Sequence, residues 1–111
     1  MSTSHRLEYS KSSKAPCNGA PPCKGTPIEL GVLRHGTVSF TEYGETVQWR
    51  HWGCVTADIL GRLAKTKLER VPGFRELRPE DQARIRIAVG LKRVDPRDVP
   101  ESARAPAAAA A

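Results

Sequence analysis

Four residues constrain this chain more than any others: Cys17, Cys23, His51 and Cys54. They include every cysteine the chain has. The pattern is C-x5-C, then 27 intervening residues, then H-x2-C. Zinc takes four tetrahedral nitrogen or sulfur ligands, and a Cys3His set is a common structural choice. Four protein ligands leave no open position for water, so the spacing points to one structural rather than catalytic Zn2+. Spacing alone also admits three independent thiols and an ordinary histidine. A closed disulfide framework is disfavoured, because three cysteines cannot all pair within one chain.

Size makes a metal staple consequential. The chain has 111 residues, enough for one domain. A domain this small buries only about 60–70% of its unfolded surface. Structural zinc contributes roughly 10–16 kcal/mol in small peptides, as much as the whole stability of a typical domain. The metal-free chain is therefore expected to fold poorly. The first 26 residues lack the apolar core of a signal peptide, and no apolar run approaches a membrane span. A reducing, intracellular compartment and no membrane partner are the expectations.

The rest of the sequence reads as short elements. Residues 1–5 are expected to be disordered and Arg6–Tyr9 a short strand. Ser10–Pro27 is rich in Ser, Pro, Gly and Lys, and Pro16, Pro21 and Pro22 forbid a helix there. Leu30–Arg34 reads as a strand with Gly36 as a breaker. Val38–Phe40 and Thr46–Trp49 read as hairpin arms around Tyr43-Gly44. Thr56 is a good helix cap, with Ala57-Asp58 opening a helix to about Lys67. Pro79, followed by Glu80 and Asp81, opens a second helix expected to stop at Gly90. Phe74 and Leu77 read as core, as do Trp49 and Trp52. Residues 93–111 read as a flexible Pro/Ala-rich tail. The fold class is α+β: a small zinc-stabilised domain with a short antiparallel sheet and two C-terminal helices.

Charge is uneven. The net charge is +6, concentrated as +3 in residues 1–26 and +4 in residues 62–75, around a −2 middle. Such a balance favours polyanionic partners. Arg62, Lys65, Lys67 and Arg70 form a basic stretch that reads as a solvated helix face or an extended phosphate track.

Several segments together carry a family resemblance. Glu8-Tyr9-Ser10-Lys11-Ser12-Ser13-Lys14-Ala15-Pro16-Cys17 is similar to the lead-in of PARP-type zinc fingers. Leu33-Arg34 is similar to that family's Leu-Arg strand, and Gln48 to Cys54 to its Trp-x-His-x-x-Cys closure. Pro72 to Gln82 resembles its Gly-Phe-x-Glu-Leu and Asp-Gln segment. The matches run in order over about residues 8–90, so residues 6–92 are taken as the finger domain. The chain departs in its first cysteine pair, since family fingers usually have C-x2-C.

These are the DNA-break-sensing fingers of poly(ADP-ribose) polymerase and of a DNA ligase. The resemblance implies one zinc, held by Cys17, Cys23, His51 and Cys54. It implies a DNA partner recognised at nicks, gaps or ends by structure rather than sequence, in the nucleus, by a non-enzymatic protein expected to be monomeric. By position it places Lys14 and Arg34 on phosphates, with Lys11 and Arg50 flanking them. It places Tyr43 and Val47 where the family stacks on an exposed base. Glu42 and Glu45 share that loop and motivate a rival, a zinc finger that docks a protein partner in a repair or chromatin complex. An enzyme would need an open metal position or a reactive C-x-x-C, and the sequence shows neither.

Overall fold

The computed structural model describes residues 3–19 and 23–99. Three strands form an antiparallel meander: β1 (Thr3–Tyr9), β2 (Leu33–Thr41) and β3 (Gly44–His51), with β2 central. Two α-helices follow, α1 (Ala57–Ala64) and α2 (Pro79–Leu91). The expected α+β architecture is present. No described helix is long and apolar enough to cross a membrane.

The register decides which residues share a face, because ladder partners stand side by side and alternate residues point the same way. On one face Glu8, Arg34 and His51 align, as do Arg6, Gly36 and Trp49. On the other, Tyr9 aligns with Leu33, and Leu7 with His35 and Arg50. The second face meets the helices. Leu7 and Leu33 join Trp52, Ile59, Leu60, Leu63, Phe74, Leu77, Ile85 and Val89 in the main core. The first face carries a smaller cluster built around Cys17, Cys23 and Ile28, with Trp49 and Cys54 against it.

Several boundaries differ from expectation. β1 begins at Thr3, so Thr3–His5 belong to the sheet, where the sequence predicts a disordered end. The turn residues of the hairpin are Glu42-Tyr43, because Thr41 pairs with Gly44. Gly36 does not break β2. It lies opposite Trp49, and a Cβ there would fall 2.8 Å from both the Trp49 ring and Val47. Glycine is thus the residue that lets the indole lie across the central strand.

α1 starts at the expected cap, with Thr56 Oγ1 accepting from Ile59 N–H at 3.3 Å. It ends at Ala64, three residues early. Lys65 and Thr66 turn tighter onto Arg62 and Leu63 carbonyls, and Leu68 is then buried. α2 runs through Gly90 to Leu91 and is closed by Lys92 in the left-handed conformation (φ 59°). Asp81 is buried near the start of α2. Burial opposes its charge, but Tyr9 and the Arg84 and Arg78 guanidinium groups hold its carboxyl below the usual range.

The expected tail is partly structured. Pro96–Asp98 form a 3-10 turn, Arg84 binds Asp98, and the Asp98 carbonyl sits against Gly53, where a Cβ would lie 1.9 Å from it. Gly53 therefore admits a segment that the composition marks as free. The remainder of the Pro/Ala-rich tail lies outside the described residues.

A Gly36→Val chain should lose about 1–3 kcal/mol, the usual penalty for overpacking. Urea unfolding of the zinc-loaded protein measures it; Thr37→Val on the other face should change stability by less than about 0.5 kcal/mol.

Candidate metal centre

The knuckle that carries Cys17 and Cys23 is closed by its own backbone. Cys17 N–H donates to Thr26 O at 2.8 Å, Gly25 N–H to Cys17 O at 2.8 Å, and Thr26 N–H to Cys23 O at 2.9 Å. Asn18 N–H then reaches Trp49 O at 2.8 Å and ties the knuckle to β3. His51 ends β3, and the single 3-10 turn Trp52–Cys54 brings the last cysteine back beneath it. The two halves of the sequence pattern meet because the β2–β3 hairpin consumes the intervening residues and returns the chain.

Cys17, Cys23, His51 and Cys54 offer ligand atoms that all lie within 4.8 Å of one another. Cys23 Sγ is 3.3 Å and Cys54 Sγ 3.9 Å from His51 Nδ1. Tetrahedral zinc with Zn–S bonds of about 2.3 Å sets its sulfurs roughly 3.8 Å apart. The group fits one such ion with small movements, and three of its four members are buried. No other cluster of this kind occurs among the described residues. Of the residues between the first two cysteines, Asn18 bonds to Trp49 and Gly19 N–H points at Cys17 Sγ, while Ala20 to Pro22 lie outside the described residues.

The electrostatics suit a thiolate site. The bond from the Cys54 thiol does most to lower Cys17, to about 3; burial opposes it, while the His51 ring and the His51 and Gly19 N–H groups add to it. Those N–H groups point at Cys17 Sγ from 3.4 and 3.3 Å. The same contact with Cys17 pushes the Cys54 thiol well up, reinforced by burial and by Cys23. His51 is raised, chiefly by its bond to Cys17. Three crowded thiols thus share protons that a dication displaces, so loading releases protons.

The region belongs to the class of small zinc-finger domains. The family model described as "Poly(ADP-ribose) polymerase and DNA-Ligase Zn-finger region" matches residues 8–89, a span that contains all four ligands. The chain belongs to this PARP-type zinc-finger family. A PARP-type zinc finger-containing protein of Schizosaccharomyces pombe is 37% identical over 102 residues, which are 85% of this chain and 40% of that protein. A second such protein from the same yeast is 34% identical over 56 residues, half of this chain and 33% of that protein. A poly [ADP-ribose] polymerase of Sarcophaga peregrina is 34% identical over 86 residues, 76% of this chain and 8% of that enzyme. The chain thus spans 40% or less of the length of these relatives. The matched region is a zinc finger and not itself a catalytic domain.

The residues that the resemblance places on DNA do not form one surface. Lys11 and Lys14 are exposed beside the knuckle, and Lys11 Nζ lies 4.0 Å from Glu8. Arg34 departs from its expected phosphate-facing position. It is 6% exposed, its fork holds Glu8 at 2.5 and 3.2 Å, and its guanidinium stacks 3.8 Å above the Trp49 ring. Its charge is already spent on a neighbour that the linear sequence does not show to be adjacent. Arg50 lies on the opposite, helix-facing side, next to His35 in the ladder. Tyr43 is 92% exposed at the hairpin turn, whereas Val47 is half-buried opposite Val38. Sequence reasoning passed over Phe40, which is half-exposed at the end of β2, close to Tyr43. The available signal was its place just beyond the last core residue of the strand, Val38.

Metal analysis should return one zinc per chain. His51→Ala and Cys54→Ser should each lose the metal and cooperative unfolding, and chelation of the wild type should do the same. A metal-free chain with a sharp thermal transition would contradict the zinc-dependent fold.

Proposed function

We propose that this protein binds DNA at nicks, gaps or ends, reading structure rather than base sequence, and acts in the nucleus. The observation that carries the reading is the exposed aromatic tip, Tyr43 with Phe40, projecting from a sheet whose other end carries the zinc centre of a PARP-type finger. In an intact duplex the base faces are covered, so an aromatic tip gains little. At an interruption a base face is open, and base–aromatic stacking is worth about 1–3 kcal/mol. Lys11 and Lys14 supply phosphate contacts that position the chain without reading sequence.

The acidic loop residues weigh less against this than the sequence suggests. Glu45 is bound to Arg6 at 3.0 Å, and from the register that ion pair bridges β2 over Val38. Glu42 stays exposed beside Tyr43 and favours the second reading, in which the same tip docks a protein partner.

Binding of intact, nicked and gapped duplex at several salt concentrations decides between them. Four to six phosphate contacts give a log–log salt slope of roughly −4 to −5. Tyr43→Ala should reduce affinity for interrupted duplex about tenfold and leave intact duplex nearly unchanged, consistent with one lost stacking contact. A flat salt response with no preference for interruptions would favour the protein-docking reading. Imaging of a fluorescent fusion tests the nuclear placement.

A further inference from the structure

The second basic block of the sequence does not form a uniform solvated face. A cleft of about 320 Å³ opens where β1 passes the end of α1, lined by Ser4, His5, Arg62, Lys65, Thr66 and Arg70 along with Val71 and Pro72. No carboxylate lines it. Arg62 is held from outside by Asp58 at 3.1 Å, where both side chains are largely exposed. The last turn of α1 attracts cations through its free carbonyl groups, but only with about half an elementary charge. Lys65 and Arg70 therefore bring two positive charges with no carboxylate partner in the lining, and Arg62 a third that Asp58 partly offsets.

His5 adds to the case. It sits in the sheet with its Nδ1 2.9 Å from His35 Nε2, and His35 is fully buried. Burial, followed by the nearby Arg62 charge, lowers its pKa, so the ring is neutral at pH 7 and the cleft adds a polar group without further repulsion. The hydroxyls of Ser4 and Thr66 also line the site. Hydroxyl donors and cations lining a cleft suit an oxyanion, and arginine binds phosphate oxygens by the same bidentate fork that it offers a carboxylate.

We infer that this cleft is a second phosphate-binding site, and that its occupant is a backbone phosphodiester of the DNA engaged by the hairpin tip. The inference rests on the reading under Proposed function and extends it to a surface that the family resemblance leaves unassigned. The location supports it. Ser4 lies opposite Val38 and Thr3 opposite Ser39, so β1 begins beside the end of the hairpin that bears Phe40 and Tyr43. Lys11 and Lys14 follow the other end of β1. From His5 to the end of β1 at Tyr9 is about 13 Å of extended chain, roughly four base-pair steps along a strand, and Lys11 lies just beyond it. The two cationic regions thus bracket the sheet, as phosphates on the two sides of an interruption would require.

The test uses the zinc-loaded chain and the double variant Lys65→Gln/Arg70→Gln, whose side chains are exposed. A charge-matched control is Arg75→Gln/Arg93→Gln, two exposed cations elsewhere. Removing one phosphate contact should make the salt slope for nicked duplex shallower by about 0.9 and cut affinity severalfold. The control should leave the slope near wild type. Equal effects in the two double variants, or none in either, would overturn the site while leaving DNA binding intact. A second arm titrates inorganic pyrophosphate into labelled protein and follows the backbone amides of His5, Thr66 and Arg70. Saturable shifts there, lost in Lys65→Gln/Arg70→Gln, support the cleft as a phosphate site; shifts spread evenly over the basic surface refute it. If the wild type binds no DNA, the reading under Proposed function fails, and the pyrophosphate arm still judges the cleft.

Discussion

The structure depends on four side chains from two distant segments converging on one ion-sized space. Cys17 and Cys23 lie in a proline-rich knuckle with almost no regular structure, and His51 and Cys54 lie at the end of a sheet. Little else holds the knuckle: a few backbone bonds and a cluster of three buried residues. Crowding three thiols and an imidazole in a buried site is unfavourable unless a dication takes up the charge. Metal binding and closure of the domain are therefore one event. The main core under the helices is joined to the knuckle by the Asn18–Trp49 backbone bond and by the turn that carries both Trp52 and Cys54.

A second interaction translates that constraint to the rest of the sheet. Arg34, Glu8 and Trp49 form a stack across the three strands on the metal-bearing face. The indole can lie flat over β2 because Gly36 is opposite, and the guanidinium covers it while bound to Glu8. A buried arginine needs such a partner, since leaving the charge alone would cost several kcal/mol. The stack occupies the two ladder rows nearest His51 and stops short of the Val38–Val47 row beneath the hairpin tip.

Some of this was legible in the linear sequence because its causes are local. Thr56 caps α1 through its own hydroxyl, Pro79 opens α2, and the β2–β3 hairpin follows from two β-rich runs around a glycine. The ligand set was legible because thiols and imidazole carry a chemistry few other arrangements need. The role of Arg34 was not. A strand arginine reads the same whether it faces phosphate or a carboxylate 26 residues earlier in the chain, and only the register between β1 and β2 sets Glu8 beside it. Gly36 misled for a similar reason, since its lack of a side chain signals a breaker in isolation and a seat for Trp49 in the sheet. The Pro96–Asp98 turn was hidden because composition records flexibility, whereas its place is set by Arg84 and by the bare Cα of Gly53.

By itself, then, the sequence determined the zinc ligands, the α+β class, the family and the existence of two basic blocks, because each rests on residue type and short-range spacing. Tertiary structure alone decided what those charges do. Pairing buried Arg34 against Glu8, tied the exposed Glu45 to Arg6, left Lys11 and Lys14 by the knuckle, and folded the second block against His5 into a cleft. The physical reason is that charge interacts through space over a few ångströms, and which charges come that close is fixed by strand register and helix docking.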